Sequence, residues 1–298
     1  MRWLRTPDTC FEALPGYPWT PNYLDGLPSA AEGRLHYLDV GTGPETFLCL
    51  HGNPAWSYLY RHMLPVLSGV GRVVVPDLFG FGRSDKPAQE SDHRFDWHRS
   101  VLIETIERLD LRNVTLVVQD WGGILGLTLP MQFPDRIRGL VVMNTILATG
   151  ESVPEGFLQW KAYANSTTDL DIGRLMLRSH PQLGPAEAAA YDAPFPDASY
   201  KAAIRAFPNL VPIHRDAPGA AISREARDYL STHWTGRTFM AVGARDPVFG
   251  PAPMQALRKS IRGCPEPLVL EQAGHFVQEQ GLPIAEAMTK AFHCVRQA

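Results

Sequence analysis

The run Val114-Thr-Leu-Val-Val-Gln-Asp-Trp-Gly-Gly123 constrains this chain more than any other stretch. It opens as an unbroken series of apolar and β-branched residues, the pattern of a strand buried on both faces of a parallel sheet. It breaks at Gln119-Asp120-Trp121 and resumes as a helix opening on Gly122-Gly123. Asp120 therefore stands where a central strand ends and a helix begins. In an open α/β sheet, ligands bind outside the carboxyl ends of the strands.

Strand and helix patterns alternate around this unit. The arm up to Gly26 is rich in proline and aromatics and suits an edge strand. Strands are expected at Arg34–Val40, Thr46–Leu50, Arg72–Asp77 and Ile137–Asn144, with helices over Ser57–Leu67, Asp96–Leu109 and from Gly122 through Gln132. From Leu147 to Pro218 no buried strand is evident. Helical stretches at Gly156–Ala164, Asp171–Ser179, Ala186–Tyr191 and Tyr200–Ala206 are separated there by prolines and small residues. Strands resume at Thr238–Asp246 and Leu268–His275, and an amphipathic helix from Pro283 to Val295 closes the chain. The reading is a doubly wound α/β core, residues 1–147 and 218–298, with a helical cap over 148–217.

Composition narrows the class. The chain has 298 residues, 45% hydrophobic and 20% charged, with a net charge of −3. That balance can bury a large core and offers no basic field to nucleic acid or an anionic membrane. The four cysteines lack metal-ligand spacing, and Cys49 lies in an apolar strand. The start Met1-Arg-Trp-Leu-Arg-Thr-Pro has no secretory apolar run, and no segment is long enough to span a bilayer. A cytoplasmic enzyme without a metal or cofactor is expected.

Asp120, Asp246 and His275 all fall at ends of expected strands. Each has a plain alternative: Asp120 could cap a helix, Asp246 before Pro247 could form a turn, and His275 is one of ten histidines. Three such residues at three converging strand ends favour a nucleophile, acid and histidine arrangement. Asp120 takes the position of the serine in a G-x-S-x-G elbow. The substitution has a chemical logic. Serine attack on an sp³ carbon leaves an ether that activated water cannot cleave, whereas a carboxylate leaves an ester that it can.

The motifs His51-Gly-Asn-Pro-Ala-Trp-Ser-Tyr58, Asp77-Leu-Phe-Gly-Phe-Gly-Arg-Ser-Asp-Lys-Pro87, Val117-Val-Gln-Asp-Trp-Gly-Gly123, Gly243-Ala-Arg-Asp246 and Gly274-His275 span nearly the whole chain. Together they resemble the haloalkane dehalogenases of the α/β-hydrolase superfamily. Val118 departs from the general hydrolase elbow, where a small residue is usual. The resemblance implies an α/β-hydrolase fold: a mostly parallel eight-stranded sheet flanked by helices, with the cap inserted after the sixth strand. It implies Asp120 as nucleophile, His275 as general base and Asp246 as triad acid. The indole N–H groups of Trp121 and Trp160 would hold the halide, since indole donates without attacking. Backbone N–H groups of Asn53 and Trp121 would form the oxyanion hole.

A related subfamily pairs an Asn side chain with Trp at the halide and keeps a Glu after the strand ending at position 144. Asn144 and Asp246 fit the Trp–Trp arrangement better. The partners implied are a small apolar halogenated substrate, water and halide product, with no nucleic acid or membrane and with monomer or dimer both open. An apolar pocket is expected from Phe157, Phe207, Pro208, Val211, Val248 and Val277. Trp56, Trp97, Trp234, His51, Asp77 and Arg83 read as structural. The nearest rival is an epoxide hydrolase, which needs cap tyrosines such as Tyr163, Tyr191 or Tyr200. A hydrolase fold retained as a non-catalytic binding protein is a further alternative.

Overall fold

A computed structural model describes residues 1–294. Eight strands form the main sheet: β1 Asn22–Leu24, β2 Leu35–Val40, β3 Thr46–Leu50, β4 Arg72–Pro76, β5 Val114–Gln119, β6 Ile137–Met143, β7 Arg237–Gly243 and β8 Leu268–Leu270. Their spatial order is β8-β7-β6-β5-β3-β4-β2-β1. Pairing is parallel from β8 to β4, while β2 runs antiparallel to β4 and to β1. This is an α/β-hydrolase fold with a mostly parallel sheet. Every residue of β3 and β5 is buried, as their unbroken apolar sequences require. Trp3–Leu4 forms a separate ribbon with Lys86–Pro87.

The chain winds outward in both directions from β3 and β5, so the sheet reverses its order of travel between them. That switch point is where the loops after two neighbouring strands part and leave a crevice. The loop after β3 carries Asn53 and the turn after β5 carries Asp120.

Ten helices accompany the sheet among the described residues: α1 Leu64–Ser68, α2 Phe95–Arg108, α3 Trp121–Gly126, α4 Glu155–Ser166, α5 Ile172–Ser179, α6 Pro185–Asp192, α7 Ala202–Leu210, α8 Ala220–Thr232, α9 Pro251–Lys259 and α10 Gly281–Ala291. None is long and apolar enough to cross a membrane. Helices α4 to α7 stand over the loops at the strand ends. The Asn53 amide reaches the Ile204 carbonyl of α7 at 3.5 Å, and the Trp56 indole donates to the Ala190 carbonyl of α6 at 3.2 Å. Gly156 of α4 abuts the Pro247 carbonyl so closely that no Cβ fits.

Several local expectations are corrected. Ser57–Leu67 is a 3₁₀ turn at Ser57–Tyr60 followed by the short α1. The helix after Asp120 ends at Gly126 and gives way to turns before Gln132. The last strand stops at Leu270, because Glu271 and Gln272 are exposed and leave the sheet. Helices α8 and α9 lie outside the helical stretches expected from the sequence. The closing helix covers Gly281–Ala291, and Val295 lies outside the described residues.

Candidate active site

The turn after β5 is built by close packing. Asp120 adopts φ 49°, ψ −124°, a left-handed backbone that only a fixed environment holds in a non-glycine residue. A Cβ on Gly122 would collide with the Leu50 carbonyl of β3, and one on Gly123 with the Thr145 side chain. The two glycines thus let α3 start directly against the sheet. The Thr145 hydroxyl donates to the Asp120 carbonyl at 2.7 Å and fixes the tip.

The Asp120 carboxylate has two distinct oxygens. Oδ2 accepts the Asn53 backbone N–H at 2.9 Å. Oδ1 lies 3.3 Å from His275 Nε2. Trp121 occupies the first position of α3, where the helix does not use the backbone N–H. Gly52 approaches so closely that a Cβ there would strike the Asp120 carboxylate.

His275 is held from its other side. Its Nδ1 lies 2.8 Å from Asp246 Oδ2. Asp246 is almost fully buried and also accepts the Val248 N–H at 2.7 Å and the Asn144 side-chain amide at 2.8 Å. Burial disfavours its charged form, but His275 and these donors prevail and hold its pKa below the usual carboxylate value. For His275, burial favours the neutral ring, but the Asp246 and Asp120 carboxylates outweigh it and push the pKa up to about 10. The two flanking carboxylates thus favour the protonated ring.

Beneath His275 lies Gln119, the last residue of β5, fully buried. Its amide nitrogen is 3.0 Å from His275 Nε2 and donates to the His275 carbonyl at 3.1 Å. The sequence assigns Gln119 no role and uses Asn144 only as the absence of an acid, so their contacts with His275 and Asp246 are additions from the structure. Their signal was available: each is an amide closing an otherwise apolar strand, at positions where packing alone wants a hydrocarbon.

A cavity of about 840 Å³ opens over these groups. Asn53, Asp120, Trp160, Val248 and His275 line it, together with Tyr163 and Phe276. The other expected pocket residues are buried without lining it. Phe157 stacks on Phe249, and Phe207 is enclosed by the rings of Phe81, His98 and Trp121. Pro208, Val211 and Val277 pack inside, with Phe276 facing the cavity in place of Val277. Asp246 lies behind His275, and Trp121 packs against Phe207 without lining the cavity.

The tryptophans divide by the partners of their N–H groups. Trp56 donates to the Ala190 carbonyl, Trp97 to the Ser29 carbonyl at 2.7 Å and Trp234 to the Thr238 hydroxyl at 2.9 Å. Among the described residues, the indoles of Trp3, Trp19, Trp121 and Trp160 have no acceptor; of these, Trp160 lines the cavity and Trp121 directly follows Asp120. The residues read as bracing loops have such partners. His51 bridges the Gly52 carbonyl and the Leu78 N–H, both at 2.9 Å. Asp77 receives the backbone N–H groups of Ser57 and Arg83 and the His36 ring.

Residues 45–282 match the family model described as alpha/beta hydrolase fold. A haloalkane dehalogenase of Mycolicibacterium paratuberculosis is 41% identical over 294 residues, covering 96% of this chain and 97% of the relative. The chain belongs to the haloalkane dehalogenase family. A second family member, from Psychrobacter cryohalolentis, is 40% identical over 98% of this chain and 99% of its own. The solved structure of the haloalkane dehalogenase DpaA from Paraglaciecola agarilytica, described as tetrameric, superposes with a TM-score of 0.94 at 46% identity, covering 96% of this chain and 97% of that one.

Proposed function

We propose that this chain is a haloalkane dehalogenase that converts a haloalkane and water into an alcohol, a halide ion and a proton. The observation that carries the reading is the Asp120 carboxylate at the elbow tip, with Oδ2 held by the Asn53 N–H and Oδ1 facing His275. Oδ1 attacks the halogen-bearing carbon opposite the halogen; the C–O bond forms as the C–halogen bond breaks, and halide leaves with the electron pair. The seat assigned to that halide is the indole N–H groups of Trp121, beside the nucleophile, and Trp160, in the cavity lining. His275 Nε2 then takes a proton from water as its oxygen attacks the ester carbonyl carbon. The oxyanion develops on Oδ2, where the N–H groups of Asn53 and Trp121 serve it. Collapse breaks the bond to the alkyl oxygen, which takes the proton from His275 and leaves as alcohol, and the carboxylic acid left on Asp120 gives its proton to solvent to restore the carboxylate. The buried Asn53 Oδ1, which accepts no protein donor among the described residues, suits an O–H of the attacking water.

Electrostatics order the two steps. The first needs the Asp120 carboxylate and no base. Alkylation makes Asp120 a neutral ester and so removes one of the charges that raise His275. The ring becomes easier to deprotonate at the stage that requires a base.

The epoxide reading needs acidic hydroxyls over the nucleophile. Tyr163 lines the cavity, Tyr200 does not, and the Tyr191 hydroxyl is committed to Glu279. Halide release from 1-bromobutane and 1,2-dibromoethane, lost in Asp120→Ala, is the expected result. Opening of styrene oxide with no halide released from a broad haloalkane panel would overturn the proposal.

A further inference from the structure

A plain haloalkane is uncharged and offers a cation nothing to pair with on binding, yet two arginines line this cavity. Arg178 comes from the end of α5 and Arg245 from the loop after β7. Both are exposed, and among the described residues neither forms an ion pair or a side-chain hydrogen bond. The Arg178 guanidinium lies 5.2 Å from the ring centre of Tyr163, itself part of the lining, which holds that cation beside the cavity. Gln182 and Gln272 add amide groups to the same lining. Elsewhere the protein's arginines are commonly engaged by carboxylates, as Arg61 is by Glu279 and Arg72 by Asp39.

We propose that the mouth of the cavity receives an anionic group carried by the substrate, so that haloalkanoates with a carboxylate remote from the carbon–halogen bond are a preferred substrate class. The proposal rests on the dehalogenase reading above. A carboxylate matches guanidinium by paired N–H donation, and the apolar wall formed by Leu175, Pro247 and Val248 suits the methylene chain between the two ends. The charge at the nucleophile disfavours the opposite orientation, with the carboxylate beside Asp120. Exposed ion pairs contribute little each, so the preference amounts to roughly five- to ten-fold for the two arginines together.

The test compares halide release from 6-bromohexanoate and from 1-bromohexane, in the parent and in Arg178→Gln/Arg245→Gln. The expected result is turnover of both by the parent, with the ratio of their kcat/KM values falling about five- to ten-fold against the acid in the double variant. Added salt should lower the parent's ratio and leave the variant's nearly level. An unmoved ratio, or turnover of 1-bromohexane with none of the acid, overturns the proposal while leaving dehalogenation intact. A bromide inhibition constant that weakens in the double variant without any change in that ratio would assign the arginines to halide release and also overturn it. Absence of halide from both substrates in the parent fails the dehalogenase reading itself.

Discussion

Asn144 and His275 share one oxygen atom: Asp246 Oδ2 accepts the Asn144 amide at 2.8 Å and faces His275 Nδ1 at the same distance. Asn144 also receives the Gly243 N–H at 2.9 Å, so it ties β6 to β7 while orienting the acid. Removing it leaves a buried carboxylate one donor short. Asn144→Ala is expected to lose about 1.5–3 kcal/mol of stability, measured by denaturant unfolding. It should also slow ester hydrolysis more than halide release, so that alkylated enzyme accumulates in quenched-flow mass spectrometry.

Removing the nucleophile's charge should be visible on the histidine. Asp120→Asn is expected to abolish halide release and to lower the His275 pKa from about 10, since one of the raising carboxylates is gone. The sign for stability follows. A ring whose pKa is raised on folding contributes stability that is full below its unfolded value of 6.5 and is lost as pH climbs through about 10. In Asp120→Asn that alkaline loss should be smaller and complete at a lower pH. Imidazole NMR titration and melting temperature against pH check the two halves, and an unchanged His275 titration would contradict the coupling.

Gln119 directs a donor at Nε2 and so favours the neutral ring, the form that works as a base. Gln119→Leu should therefore slow the second step roughly tenfold, about the worth of one hydrogen bond. Its pH–rate profile should also move toward higher pH. A burst of halide equal to the enzyme concentration is the expected pre-steady-state signature. A loss confined to melting temperature would make Gln119 merely structural.

The Trp121 and Trp160 indoles can be tested separately. Trp160→Phe and Trp121→Phe keep a ring of similar character and remove one donor. Hydrogen bonds to charged groups contribute about 1.5–3 kcal/mol, so bromide should bind roughly ten- to 150-fold more weakly in each variant. Bromide inhibition constants measure this, and unaltered values would remove that residue from the halide seat.

The parts legible in the sequence were those that a one-dimensional pattern encodes. The unbroken apolar runs of β3 and β5 demanded a doubly covered sheet. Asp120, Asp246 and His275 stood out because polar residues ending such strands meet at one edge. Pocket lining was less legible. Phe207 and Val248 are both apolar residues in the sequence, but one packs among aromatic rings and the other faces the cavity. Only the rotation of an element in three dimensions separates them. Arg178 and Arg245 are illegible for the same reason, since a charge near a helix end or in a loop looks like ordinary solvated surface. Short elements also escaped: Gly122-Gly123-Ile124-Leu125-Gly126 carries helical spacing onward, yet tertiary packing ends the helix there.

The backbone at Asp120 has a consequence for how this protein could change over time. Holding φ 49°, ψ −124° in a residue with a side chain costs on the order of 1–3 kcal/mol. Alanine at 120 would retain that cost and glycine would shed it, while neither has a carboxylate. Asp120→Gly should therefore melt higher than Asp120→Ala, both being inactive. A lineage selected for heat tolerance alone would find inactivity on a downhill path, and only continuing demand for the reaction keeps the aspartate in its turn.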